Sequence, residues 1–189
     1  VPVINNDCPI PAGAKYESYL ESDGEFTEYY KLNGHFAGPF MEWYDQARTL
    51  NEVTACYDEE GKLHGIRIIT FFWGEILEQN YDHGVLTSDK GWYPGGNIKA
   101  IGFYQNNQKV EWTSFYDIPD KRRQYVHYKN GLLDGWQQNW YENGELSGQS
   151  YYEAGVKQES YRFREDGTLD YKVISVNGTP SSTTYYSED

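Results

Sequence analysis

The sequence predicts an all-β fold: tandem antiparallel β-hairpins forming an elongated, twisted and curved single sheet. Three observations carry this expectation. Turn signals recur with a period of about 24 residues along nearly the whole chain. Two such series interleave, so that consecutive turns fall 10 to 14 residues apart, which leaves room for one short strand between them and none for a helix plus a strand. Aromatic residues make up 17% of the 189, with 19 Tyr and 6 Trp beside a single Met. Large flat side chains suit a sheet that is wet on one face, because rings lie across neighbouring strands while a hydroxyl or indole nitrogen meets water.

Residues 1–15, with Pro2, Pro9, Pro11 and Gly13, read as an extended leader that covers the first strand edge. Residues 16–178 are the repeat array. Its first turn series ends at residues 34, 61, 84, 107, 131, 155 and 178, spaced 27, 23, 23, 24, 24 and 23 apart. The second falls at Gly24, residues 47–50, Gly74, Gly96, Asp120, Gly144 and Gly167. Asn-Gly at 33, 130, 143 and 177 and Asp-Gly at 23 and 166 tolerate the positive φ of tight hairpin turns. The stretches 45–50 and 117–120 depart from this chemistry and are expected to be longer loops, with Pro119 unable to donate to a ladder. Residues 179–189 form a last strand or a tail.

Within the array one column reads Trp43, Phe72, Trp92, Phe115, Trp140 and Phe163, and the next position reads Tyr44, Trp73, Tyr93, Tyr116, Tyr141 and Arg164. Adjacent positions point to opposite faces, so one column is expected in the core and the other at the surface. Ile76, Ile98, Leu146 and Leu169 each sit two residues past a turn and open a strand that a repeat Tyr closes. Gly38, Gly65 and Gly135 each follow a turn residue by four, which suits a bend or a close backbone approach.

The net charge is −13, and residues 1–60 hold 12 acidic and 3 basic side chains. Nucleic acid is thereby disfavoured and a basic protein patch is favoured, although acidic loops also keep an aromatic sheet soluble. No apolar run is long enough for a transmembrane helix. The chain opens on Val1, which fits a removed signal peptide or a trimmed start. Cys8 and Cys56 admit two readings. A disulfide would close a long loop worth about 4 kcal/mol and imply a periplasmic or otherwise exported setting. A free Cys56 would serve as a small apolar filler, compatible with the cytoplasm.

Catalytic chemistry is missing from the pattern. His35, His64, His83 and His127 are scattered, and no pair has the spacing of a helical or paired-cysteine metal site, so neither metal nor cofactor is expected. Asp58, Glu59 and Glu60 cluster beside Gly61 without the alternation of a calcium loop. No nucleophile elbow or phosphate-binding loop is present, and no carboxylate pair stands out, which points away from an enzyme. The Asn177-Gly178-Thr179 triplet fits a glycosylation acceptor, but its turn role suffices.

The copy Tyr128-Lys-Asn-Gly131-Leu-Leu-Asp-Gly135-Trp-Gln-Gln-Asn-Trp-Tyr-Glu-Asn-Gly144 and the run Tyr57-Asp-Glu-Glu-Gly61-Lys-Leu-His-Gly65 resemble MORN repeats, in the bacterial variant where a Tyr-x-Asn-Gly turn alternates with a Trp/Tyr-Tyr-Glu-Asn-Gly turn. The resemblance covers about residues 24–178. It implies an immunity or antitoxin protein that neutralises a toxin, including toxins delivered by secretion systems such as the type VI system, phospholipase effectors among them. Eukaryotic MORN arrays are instead tethers and dimerisation scaffolds, and their more regular glycine pattern is poorly matched here. The copy at Tyr104-Gln-Asn-Asn107 has lost its glycines. Repeat scaffolds bind through exposed aromatics. The expected contact residues are therefore Tyr44, Trp73, Tyr93, Tyr116 and Tyr141, with Asp58, Glu59 and Glu60 as a charged rim. A self-associating or membrane-associated scaffold is the alternative, and a carbohydrate-binding module a third reading. The oligomeric state stays open between them.

Overall fold

The structure, a computed structural model, describes residues 8–187, and these are all-β with no helix among them. The strands fall into two compact units, Val1–Gly96 and Asn97–Asp189. The first holds β1 (Lys15–Leu20), β2 (Phe26–Leu32), β3 (His35–Trp43), β4 (Asn51–Tyr57), β5 (Gly65–Thr70), β6 (Ile76–Asp82) and β7 (Val85–Trp92). Each pairs antiparallel with the next. The second holds β8 (Ile98–Gln105), β9 (Gln108–Phe115), β10 (Arg122–Lys129), β11 (Leu132–Leu133), β12 (Gly135–Trp140), β13 (Leu146–Glu153), β14 (Val156–Phe163), β15 (Leu169–Val176) and β16 (Thr179–Tyr185). Here too the order follows the sequence, with the short β11 beside β10 and β12 continuing the sheet. The fold is a succession of hairpins.

Two turn geometries alternate. In the first series both central residues adopt positive φ, as at Asn33-Gly34 (52° and 91°), Asn130-Gly131 (53° and 77°) and Asn177-Gly178 (51° and 78°). That is the I′ geometry whose twist matches the flanking strands. His83 (44°) and Ala154 (48°) take the same conformation without the customary side chain, so the hairpin imposes it on them. The turn at Gly61 is the exception, since the Gly61 amide bonds back to the Asp58 carbonyl. Five turns of the second series use that wider turn: the amides of Gly24, Gly74, Gly96, Gly144 and Gly167 donate to the carbonyls of Glu21, Phe71, Tyr93, Tyr141 and Arg164. The Asn-Gly at 143 and the Asp-Gly at 23 and 166 therefore do not form two-residue turns; only their glycines have positive φ. The stretches 45–50 and 117–120 are longer loops, closed by bonds from Tyr44 N to Leu50 O and from Tyr116 N to Lys121 O.

A single layer of strands encloses little. Among the described residues Ala37, Val53, Ala55, Ile68 and Trp92 are buried in the first unit and Val126 in the second, and no large side chain is completely buried. The rest of the apolar packing is a set of ring contacts on the sheet faces. Tyr29, Phe36, Phe40 and Tyr57 form one group, with centroids 5.1 to 6.3 Å apart. Trp136, Tyr151 and Tyr161 form another. Burial raises the Tyr57 phenol above its ordinary pKa.

The leader is tied down covalently. Cys8 is disulfide-bonded to Cys56 in β4, with the Cα atoms 5.7 Å apart. Residues 9–11 then lie over Gly38, where a Cβ would come within 3.2 Å of the Pro9 carbonyl and of Pro11. Gly38 has a φ of 90°, so both the strand bend and the covering leader require glycine at this position.

The sorting of aromatic columns into core and surface needs correction. Counting back from the turn glycine, Gly74−3 is Phe71, which occupies the place of Tyr141, and Thr70 occupies that of Trp140. Phe72 and Trp73 stand at the turn tip, 75% and 52% exposed. In the remaining copies the first column is not uniformly core: Trp92 is buried, whereas Trp43, Phe115, Trp140 and Phe163 are half-buried, as are Tyr44, Tyr93, Tyr116 and Tyr141. The second column is held in the sheet by its hydroxyls. Tyr44 Oη donates to Thr70 O (3.0 Å), Tyr116 Oη to Trp140 O (2.7 Å) and Tyr141 Oη to Phe163 O (2.8 Å). Each bond reaches the carbonyl that precedes the equivalent position one copy on. In the last copy Arg164 replaces Tyr and reaches Tyr186 O at 2.7 Å.

Trp92→Ala is expected to cost about 3–5 kcal/mol. Tyr141→Phe, which removes only the hydroxyl and its bond to the next copy, is expected to cost about 1 kcal/mol. Thermal melts of the two variants check the order. Reduction of Cys8–Cys56 is expected to cost about 4 kcal/mol, scored by denaturant titration with and without reductant.

Candidate partner-binding edge

The second-series turns of the first unit gather aromatic rings and carboxylates on one edge. The tip Phe71–Gly74 presents a compact aromatic group: the Phe71 and Trp73 rings stack at 4.7 Å, and Phe72 meets Trp73 edge-on at 4.8 Å. The turn glycine lets the following turn pack beside the tip, because a Cβ on Gly74 would lie 3.2 Å from Pro94. Tyr44 joins the tip to its neighbours through its bond to Thr70.

Beside Tyr44 lie Glu25, Glu42 and Glu52. Burial, the largest cause, and then the fields of Glu52, Glu25 and Glu42 raise the Tyr44 phenol pKa. Burial followed by the charge of Glu25 raises Glu42 above the ordinary carboxyl value, with Arg67 acting in the opposite sense. Glu52 is raised by burial and then by Glu42 and Glu25. Among the described residues none of Glu25, Glu42 and Glu52 has an ion-pair partner within 4.0 Å. Glu52 Oε2 and Trp43 Nε1 are shielded and have no hydrogen-bond partner. The edge therefore gathers three carboxylates around Tyr44 with only the more distant Arg67 acting against Glu42, an arrangement that a cationic group would stabilise. Glu28 differs, since Arg48 pairs with it at 2.6 Å and packs over Phe26.

The residues singled out from the sequence divide between the two units, and those of the first unit fall at opposite ends of its strands. Tyr44 and Trp73 both lie on this edge, and Tyr93 opens the next turn along it, where the Gly96 amide bonds to its carbonyl. Tyr116 and Tyr141 belong to the second unit, where Arg123 and Arg162 lie over their rings and their hydroxyls serve the array. Asp58, Glu59 and Glu60 sit at the opposite end of β5. Asp58 is no exposed rim: its Oδ1 accepts from the Glu60 and Lys62 amides, its Oδ2 is bonded to His83, and its side chain is 11% exposed. Glu60 pairs with Lys62 at 2.6 Å, and the Glu59 carbonyl accepts from His35 at 2.9 Å. Sequence reading kept Phe72 in the other aromatic column and passed over Phe71, Glu25, Glu42 and Glu52. Counting three back from Gly74 would have found Phe71, whereas the carboxylates lie on different strands and turns that only the strand register brings together.

The four histidines are also less scattered than their spacing implied. The His64 and His83 rings stack at 4.3 Å, with Asp82 beside both.

A scan against protein-family models finds no match to this chain, and a search of curated proteins finds none either. No helix among the described residues is long and apolar enough to cross a membrane, which says nothing about strands.

The raised pKa values of Glu42 and Glu52 fix a sign. An acid whose folded value lies above its unfolded value destabilises the fold when ionised, and that penalty falls away as the pH drops through the folded value. The double variant Glu42→Gln/Glu52→Gln is therefore expected to melt above the parent at pH 7, with the difference shrinking toward pH 4. Melting curves at the two pH values check it.

Proposed function

We propose that the chain is an immunity or antitoxin protein, a MORN-repeat variant that binds and neutralises a cognate bacterial toxin by occluding its active site or its substrate approach. It acts by contact and not by catalysis. The observation that carries this reading is the edge where Tyr44, bonded to Thr70 at the base of the exposed Phe72–Trp73 tip, lies in the field of Glu25, Glu42 and Glu52. Aromatic anchors flanked by charge are what a tight protein interface requires, and the sign of the charge selects a basic patch on the partner. A toxin that acts on an anionic substrate, such as a phospholipase effector, gains from basic groups around its cleft that attract that substrate, and such groups would complement this edge. The Cys8–Cys56 bond supports a periplasmic or otherwise exported setting, where disulfides persist.

The test is binding to the toxin encoded beside this chain's gene, measured by calorimetry at two salt concentrations. Phe72→Ala/Trp73→Ala is expected to weaken binding by more than about 30-fold, as loss of a central anchor does. Glu25→Lys is expected to slow association and reduce its salt dependence. Tyr141→Ala, corrected for stability, is expected to leave affinity unchanged. Full affinity in the Phe72/Trp73 variant would remove this edge from the interface.

A further inference from the structure

We propose that His64, Asp82 and His83 form a binding site for a divalent first-row transition-metal ion, with Zn²⁺ the natural occupant. The three side chains come from two successive hairpins at the first-series edge, opposite the aromatic tip. Their ligand atoms lie within 4.8 Å of one another. His64 Nδ1 is 3.7 Å and His83 Nε2 is 3.9 Å from Asp82 Oδ1. Tetrahedral zinc with bonds of about 2.0–2.1 Å needs neighbouring ligand atoms about 3.3 Å apart. The two imidazole–carboxylate separations are within a few tenths of an ångström of this, whereas the two imidazole nitrogens need a larger rotation of the exposed rings, and the ion would displace the hydrogen bond that His64 Nδ1 accepts from the His83 amide at 3.3 Å.

The backbone arranges the site in advance. The Gly84 amide donates to Leu63 O at 2.7 Å and the His64 amide to Cys56 O at 2.9 Å, so the turn carrying Asp82 and His83 is docked on the segment carrying His64. His83 Nδ1 lies 2.7 Å from Asp58 Oδ2, and Asp58 is held by the Glu60 and Lys62 amides. A carboxylate at that distance accepts a hydrogen bond from Nδ1–H, the tautomer that leaves the Nε2 lone pair facing Asp82. Carboxylate–histidine–metal sites use this same second contact to fix the tautomer and raise the ligand's basicity. The nearby Lys62 ammonium is paired with Glu60 and does not compete for Asp82. Two imidazoles and one carboxylate favour zinc, copper or nickel over calcium or magnesium. Three protein ligands on an exposed edge leave a coordination position for solvent. No cysteine competes for the ion, since both are in the disulfide.

Calorimetric titration of ZnCl₂ into tag-free, EDTA-treated, oxidised protein tests the proposal. One equivalent is expected to bind with saturable heat and to raise the melting temperature. His64→Gln, Asp82→Asn and His83→Asn are each expected to weaken binding at least tenfold. Asn is chosen at 83 because it already occupies that turn position at residues 33, 130 and 177, so the hairpin survives. Asp58→Asn is the discriminating variant. Its amide oxygen can still accept from the Glu60 and Lys62 amides, but its amide nitrogen donates to His83 Nδ1 and moves the ring proton to Nε2. A loss of about 10- to 100-fold is expected with an unchanged circular dichroism spectrum. Absence of a saturable one-equivalent heat, or His64→Gln and His83→Asn titrating like the parent, would overturn the site and leave the toxin-binding edge untouched.

Discussion

Everything in this fold depends on each hairpin being held by the next. A lone hairpin is marginal in water, and a single-layer sheet has no opposing layer to supply a core. The repeat solves this with side chains that reach one copy along the chain. Tyr44, Tyr116 and Tyr141 donate to carbonyls 22 to 26 residues away. Lys121 reaches Asn143 O and Asn143 reaches Glu165 O, each 22 residues on. At the opposite edge the amides of Gly84 and Gly155 dock on Leu63 and Leu133. A hydroxyl bonded to a strand-end carbonyl satisfies an acceptor that would otherwise face solvent, and it also sets the spacing of the turns.

That constraint explains where surface is left for other work. A ring committed to the ladder has no free hydroxyl, and cations cover the Tyr116 and Tyr141 faces. The copy at residues 71–74 breaks the rule. Phe71 has no hydroxyl to donate, and the next two positions are Phe72 and Trp73, which project into solvent. A copy released from the ladder is free to specialise, and this one lies beside the most acidic part of the sequence. The His64–His83 stack follows the same logic at the other edge, where docking of one turn on its predecessor brings equivalent positions of adjacent copies into contact.

Much of the architecture is legible in the sequence. The 24-residue rhythm gave the hairpins, and Ile76, Ile98, Leu146 and Leu169 marked strand starts that the structure places at the openings of β6, β8, β13 and β15. The candidate surface was legible only in part. Tyr44 and Trp73 were visible as aromatic repeat positions, but periodicity could not tell a ring latched to the next copy from a ring left exposed. Glu42 and Glu52 were invisible as a pair, because ten residues of sequence separate side chains that a bulged strand pairing brings together. Asp58 was misread as a rim charge because its bonds run to backbone amides and to His83, 25 residues distant.

The sequence by itself determined the hairpin repeat, its turn positions and its excess of negative charge, because these are local and periodic properties. Turn chemistry and strand length act over a few residues and need no partner. The tertiary structure decided which aromatic rings are latched, which carboxylates crowd together and which histidines touch. Those outcomes depend on strand register and on contacts one full repeat away, where a single-residue slip moves a side chain from one face of the sheet to the other.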